Sequence, residues 1–488
     1  MRILSALTLL ITLAAPAAAE DRVVLESGVW TFTASNPYAD RPDVEIVIGR
    51  DAFVTLDGAS LPGTVRVVEN GILSVRSPSS VQVVAVEDEG RVEAPVRLKV
   101  LRLLAQESAV IDGPGIDIEL PKLPEREEDW TPEQWEAWAL ARSTAPPYLI
   151  ASGDARIVFD QIIGDPIRVQ TLMEDRASVT ALGHTQWLGL DMRDDATFVG
   201  ASVWATGTVA GRARFEVTEA AAWGNIQARE RAQVRMMRTG DVGTGFSVHL
   251  YDEANARIEQ AGGGLYQHFG SGMLEMVDSV APPEAGGIRE LRVWMRSPEA
   301  RVWLRNFGQV HSLNAPVCGM PCNPWYVVFG QAEYLRVDDS LLNFEIDQVR
   351  FVELHNSQAP SIYPVSSGGG GYKAPIRGEC LLNEASVTSV GFDRQCARLR
   401  VSILKADGSR LAGARLTLLD PVSGSEVAAY DVSSGTLAPS RVSDAEGVAV
   451  FDLAPRATPL RLRIEAPGVD RTQDVVLVRD AEELTIRV

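Results

Sequence analysis

Residues 46–121 decide the fold when written in blocks of 19: IVIGRDAFVTLDGASLPGT (46–64), VRVVENGILSVRSPSSVQV (65–83), VAVEDEGRVEAPVRLKVLR (84–102) and LLAQESAVIDGPGIDIELP (103–121). Reading down the blocks, Ile46, Val65, Val84 and Leu103 form one column, and Ile48, Val67, Val86 and Ala105 a second. Val54, Leu73, Val92 and Ile111 form a third, and Leu56, Val75, Ala94 and Gly113 a fourth. Within each block apolar positions alternate, the period of a strand that buries one face. A repeat this short cannot close a core of its own. Stacked about 4.8 Å apart, successive repeats share one interior and pair their backbones from turn to turn. The columns predict an all-β chain beginning with a right-handed parallel β-solenoid of about 19 residues per rung. An antiparallel sandwich of regular hairpins is the competing arrangement.

The pattern resumes after an interruption. Ile157/Phe159, Val179/Ala181, Phe198/Gly200, Phe215/Val217 and Val234/Met236 repeat at spacings of 22, 19, 17 and 19, so some corners differ in length. The interruption, near 120–147, carries Asp129-Trp130-Thr131-Pro132-Glu133, a helix-start pattern with Thr131 as N-cap and Pro132 in the first turn. A short helix follows, with Trp135 and Trp138 on one face. It either packs on the solenoid wall or docks a partner through Trp130, Trp135 and Trp138. The solenoid thus covers 20–240, and residues 241–356 read as further strands, either its continuation or a jelly-roll-like region.

Residues 1–19 read as a signal peptide: basic Arg2, apolar Ile3 to Leu13, and Ala17-Ala18-Ala19 before Glu20. Export to the periplasm or beyond is expected, and no transmembrane segment. The net charge is −19, and only Lys99, Lys122, Lys373 and Lys405 are lysines. An acidic chain lacks the broad positive field that nucleic-acid binding requires. Four cysteines in an exported chain suggest two disulfides, with the local pairs Cys318–Cys322 and Cys380–Cys396 favoured. A zinc site built from all four thiolates is the alternative. Residues 357–378, rich in Gly, Ser and Pro, read as a flexible linker.

Residues 379–488 alternate strongly. Gly413-Ala414 opens a strand, Asp444-Ala445-Glu446-Gly447 precedes the Phe451 strand, and Ala466-Pro467-Gly468 marks a turn. This module resembles the carboxypeptidase-regulatory-like and collagen-adhesin B-type modules, which implies a small Ig-like β-sandwich that spaces, stiffens or binds. Some collagen-adhesin modules carry a Lys–Asn isopeptide bond. Lys405 matches the Lys and Glu465 lies near the acidic position, but no Asn occurs from Cys396 to Val488. The solenoid is similar to adhesin-type repeats, and Asn343 to Phe351 to the closing strand of jelly-roll carbohydrate-binding modules.

Trp187, Trp204 and Trp223, spaced 17 and 19 apart, would form a ladder along one edge, binding sugar rings or only stiffening the coil. Arg212, Arg214 and Arg235, in a group with Arg229, Arg231 and Arg238, could hold an anionic polysaccharide or lie solvated beside Glu216, Glu219 and Glu230. For an enzyme, Asp191, Asp194 and Asp195 form the best acidic cluster and Asp338-Asp339 another. Neither has calcium-loop spacing, and no HExxH or Gly-x-Ser-x-Gly pattern occurs. The expectation is a non-enzymatic envelope or secreted scaffold that binds glycan or a surface. A β-helix polysaccharide-active enzyme and a structural subunit of an envelope assembly are the alternatives. Polysaccharide or an envelope protein is the expected partner, and no cofactor or metal is implied.

Overall fold

The computed structural model describes residues 21–120, 131–133, 135–136, 147–163, 169–237, 246–259, 264–277, 291–306, 326–340, 343–359, 380–384, 387–388 and 395–488. The chain divides into two compact units, Met1–Glu219 and Ala220–Val488.

In the first unit the 19-residue columns are vertical stacks. Ile46 pairs with Val65, Val65 with Val84 and Val84 with Leu103, all in parallel ladders and all buried. Val54, Leu73, Val92 and Ile111 stack in the same way on a second wall. A third wall, which the four columns leave unread, stacks Leu61 on Val81, Val100 and Ile118. The coil does not break at the interruption. Leu103 pairs with Leu149 and Ile111 with Ile157, so the stretch from 120 to 147 leaves and re-enters at one corner. Ile157 then stacks on Val179 and Val179 on Phe198. The Phe198 and Phe215 rings lie 5.5 Å apart and nearly parallel. Of the inserted helix, Pro132, Glu133, Trp135 and Glu136 are helical. The Trp135 N–H donates to the Thr131 carbonyl at 3.0 Å, as the N-cap reading expects. Trp130 and Trp138 lie outside the described residues, as do the signal segment, residues 360–378 of the 357–378 linker, and Cys318 and Cys322.

The corners follow their own rule. Ala109, Ala155, Ala177, Ala196 and Ala213 are buried, and each N–H bonds the carbonyl three residues earlier. Two residues before each stands one with positive φ: Glu107, Gly153, Asp175, Asp194 and Gly211. A tight reversal against the neighbouring rung leaves room for a methyl group and little more.

In the second unit the parallel stacking carries on. Phe246–Leu250 lies on Gly224–Ala228, then come Gly264–His268, Leu291–Arg296 and the first half of Tyr326–Asp338. A second wall runs through Gln233–Met237, Asn255–Glu259, Met273–Val277, Arg301–Arg305, the second half of Tyr326–Asp338, Asn343–His355 and Cys380–Glu384. Of the two readings of 241–356, the jelly-roll is therefore replaced by the coil. The Asn343-to-Phe351 stretch pairs in parallel and closes no antiparallel sandwich.

From Cys396 onward the strands form two sheets, largely antiparallel. One holds five strands, including Cys396–Leu404, Val448–Pro455 and Ala481–Arg487. The other holds four, including Arg415–Leu419 and Pro459–Ala466. Leu399, Val401 and Phe451 from the first and Leu416, Leu418 and Leu462 from the second share one buried core. These sheets pack onto the last coil turns within the same unit. Tyr430 stacks on Phe351 at 4.3 Å and on Tyr334 at 5.6 Å, and the disulfide Cys380–Cys396 joins the same buried cluster. With these two cysteines bonded to each other, a four-thiolate zinc site is not formed.

Candidate functional site

The sequence-nominated residues come first. Trp204, half-buried on the strand Thr197–Val209, meets His184 edge-on at 5.9 Å. Trp187 and Trp223 lie on the strands Ser178–Met192 and Arg214–Ala228, but their side chains fall outside the described set. The pairing of Ser178–Met192 with Thr197–Val209 shifts register between Thr185 and Leu188, the turn of the coil that holds Trp187 and Trp204.

Four of the arginines are matched with carboxylates, and Arg238 lies outside the described residues. Arg212 bonds Asp195 at 2.7 Å, Arg214 pairs with Glu216, Arg231 with Glu253 at 2.9 Å and Arg235 with Glu259 at 3.5 Å. The acidic cluster is divided among three tasks. Asp191 pairs with Arg193 at 2.8 Å, Asp195 holds Arg212, and Asp194 occupies a corner with φ near 56°. Asp338 accepts from the Trp303 indole at 2.9 Å and from Arg336 at 3.0 Å. Asp339 accepts from Asn356 at 2.8 Å. Among the described residues no group of three or more His, Cys, Asp or Glu is arranged to hold a metal ion. No described helix is long and apolar enough to cross a membrane.

A different surface emerges in the second unit, built by register. Ala228 pairs with Leu250 and Leu250 with His268, so the residues that follow each of them stand one above another at a corner. These are Arg229, Tyr251 and Phe269. The Tyr251 and Phe269 rings stack at 4.9 Å, 4° from parallel. The Arg229 guanidinium lies 4.5 Å from the centre of the Tyr251 ring, a cation–π contact. His268 pairs with Met295, which brings Arg296 next in the same column. Two positions earlier runs a second outward column, in which Gln227 pairs with His249, His249 with Gln267 and Gln267 with Trp294. His249 faces the Phe269 ring at 6.3 Å, and Arg296 lies 4.3 Å over Trp294. Tyr251, Phe269, His249, Gln267 and Trp294 are half-buried, and Arg229 and Arg296 exposed. Burial lowers the His249 pKa, favouring a neutral ring with one donor and one acceptor nitrogen.

The chemistry of this patch is specific. Aromatic edges and faces present apolar area, two carboxamides present paired donors and acceptors, and two guanidinium groups present fixed forks. Spacing in sequence hides it, because Arg229, Tyr251, Phe269 and Arg296 are 22, 18 and 27 residues apart. The one signal available was positional: each follows the last buried residue of its strand.

The wall beside it is knit by charge. Arg235 and Arg257 share Glu259, Arg257 and Arg305 share Glu275, and Arg305 and Arg336 bracket the Trp303 ring at 4.8 and 4.4 Å. The run ends at Glu353, whose carboxylate is 0% exposed and meets His355 at 3.1 Å, Arg398 at 3.3 Å and Arg336 at 3.8 Å. Arg235, read from sequence as a ligand contact, is the first member of this row.

No protein-family model matches the chain, and no curated protein matches it.

Proposed function

We propose that this chain is a non-enzymatic, exported scaffold that binds glycan along its coil. One observation carries the reading: the half-exposed columns Arg229–Tyr251–Phe269–Arg296 and Gln227–His249–Gln267–Trp294 lie side by side. Pyranose rings have apolar C–H faces and a rim of hydroxyls. A row of aromatic rings flanked by carboxamides and guanidinium groups complements both, and a repeat of one residue per rung suits a linear polymer. The arginines favour a chain that bears carboxylate or sulfate groups.

Export is supported by the leader-like residues 1–19 and by the Cys380–Cys396 disulfide, a bond that persists in oxidising compartments. We read the terminal sheets as an Ig-like module of the carboxypeptidase-regulatory type that stiffens the coil end.

A glycan array probed with the full chain tests the reading. The expected result is retention of at least one acidic polysaccharide, with signal lost in Phe269→Ala while circular dichroism is unchanged. Absence of any retained glycan, or full retention by Phe269→Ala, counts against it.

A further inference from the structure

The first coil turn is built from the strands Asp21–Leu25 and Gly28–Thr33. Each pairs on one edge only among the described strands, the first with Val44–Ile48 and the second with Ala52–Asp57. The register places Trp30 over Val54 and Phe32 over Leu56, so both stand in the core columns. Val54 and Leu56 are fully buried, whereas Trp30 is 46% exposed. The column of Trp30 therefore opens to solvent at this turn, whereas Phe32 is buried in edge contact with Tyr38 at 5.9 Å. The outward neighbour Val29 is 80% exposed.

An open edge of this kind pairs with another strand unless it is guarded by charge, proline or a bulge. Gly28-Val29-Trp30-Thr31-Phe32-Thr33 has no charged residue and no proline. It is rich in β-branched and aromatic side chains, a composition that favours pairing with its own kind. On a chain of net charge −19, this neutral strand is a place where two copies meet without repulsion.

We infer that the strand Gly28–Thr33 pairs antiparallel with the same strand of a second copy, joining two coils head to head. A two-fold axis through Thr31 sets Trp30 against Phe32 of the copy. Residues directly opposite in an antiparallel pair share a face, so this register continues the core from one molecule into the other. The interface is isologous and closed, and the product is a dimer.

The axis gives the test. Thr31 is exposed and meets its own counterpart, so Thr31→Lys sets two like charges opposite each other and Thr31→Glu does the same. Light scattering of the full chain at micromolar concentration should give twice the chain mass of 52.8 kDa. Each variant alone should give the single mass with an unchanged far-ultraviolet circular dichroism spectrum, and an equimolar mixture of the two should return to the doubled mass. A monomeric parent chain overturns the inference, as does a Thr31→Lys dimer. A mixture that stays monomeric also overturns it, as does an edge protected from hydrogen exchange by residues preceding Asp21.

Discussion

At each corner the coil reverses within four residues, and the second of them sits at positive φ, a region that costs a residue with a Cβ about 1–3 kcal/mol. The chain places acids there, with Asp175 at 59° and Asp194 at 56°. Their carboxylates reach the neighbouring turn. Asp175 accepts from the Gly153 N–H at 2.9 Å, Asp194 from the Asp175 N–H at 3.4 Å and Asp252 from the Glu230 N–H at 3.0 Å. An aspartate tolerates this backbone and satisfies an N–H that strand pairing leaves over, so one residue does both jobs. Asp175→Ala should lower stability by about 1–2 kcal/mol, whereas Asp175→Asn, which keeps the acceptor and the backbone tolerance, should change it by less than about 0.5 kcal/mol. Thermal melts of the two variants check this. Gly207 is the backbone counterpart: at φ 148° it passes so close to the Leu190 carbonyl that no Cβ fits. From sequence alone Asp191, Asp194 and Asp195 stood out as a cluster, because adjacency in the chain was legible and corner geometry was not.

His268 shows how a buried side chain sets pH dependence. It is 0% exposed, its Nε2–H donates to the Gly272 carbonyl at 2.7 Å, and its Nδ1 accepts from the Gly270 N–H at 3.3 Å. Burial pushes its pKa down to about 4. The unfolded chain therefore takes up a proton at this residue between pH 6.5 and about 4 while the folded chain does not, and stability falls as pH drops through that window. The loss amounts to roughly 3 kcal/mol. His355 has the opposite sign. Burial alone would lower its pKa, but the hydrogen bond and charge of Glu353, with Asp338 adding, raise it above the ordinary value. Its contribution is present below that ordinary value and is lost as pH rises through the folded one. Melting curves from pH 4 to 8 should show the acid-side loss in the parent chain and a flatter acid side in His268→Gln.

Among the elements, the strands between 46 and 111 were legible because a constant 19-residue step keeps each buried side chain above the last. Beyond residue 240 the same stacking holds in space with unequal steps, since corners absorb insertions without disturbing the walls. A period is a property of corner length, whereas a column is a property of register, and only the first is written in spacing. The Arg–Glu row on the second wall shows the same effect. Arg257 and Arg305 meet at Glu275 because three strands pair, although 48 residues separate the two arginines in sequence. Pairs this exposed contribute little singly. At the buried end of the row the balance changes, because an uncompensated charge out of water is costly. Glu353→Ala removes the fully buried carboxylate that Arg398, Arg336 and His355 share, leaving Arg336 to Asp338 and Arg398 to Asp452, and should lower the unfolding midpoint, with a loss of roughly 2–4 kcal/mol. Chemical denaturation of the variant measures it.

At the scale of the whole molecule, two separate strategies supply stability: repetition in the coil and a single hydrophobic core in the terminal sheets. Their junction in the second unit is neither repeated nor local. Tyr430 finds Phe351 and Tyr334 across a long stretch of chain, so nothing in a linear pattern announces it. The Cys380–Cys396 pairing was readable, because a separation of 16 residues closes a local loop. The two ring arrays differ in how far the sequence displays them. Trp187, Trp204 and Trp223 are visible at near-regular spacing, whereas the Tyr251–Phe269 ring stack is built by register. Calorimetric titration with acidic oligosaccharides of increasing length, against the parent chain and a Tyr251→Ala/Phe269→Ala double variant, addresses the central claim most directly. A glycan lying along the column should bind the parent chain more tightly as it lengthens to cover successive rungs, and truncating both rings should cost about 1–3 kcal/mol. Affinity that is independent of length, or equal in the parent chain and the double variant, would contradict it.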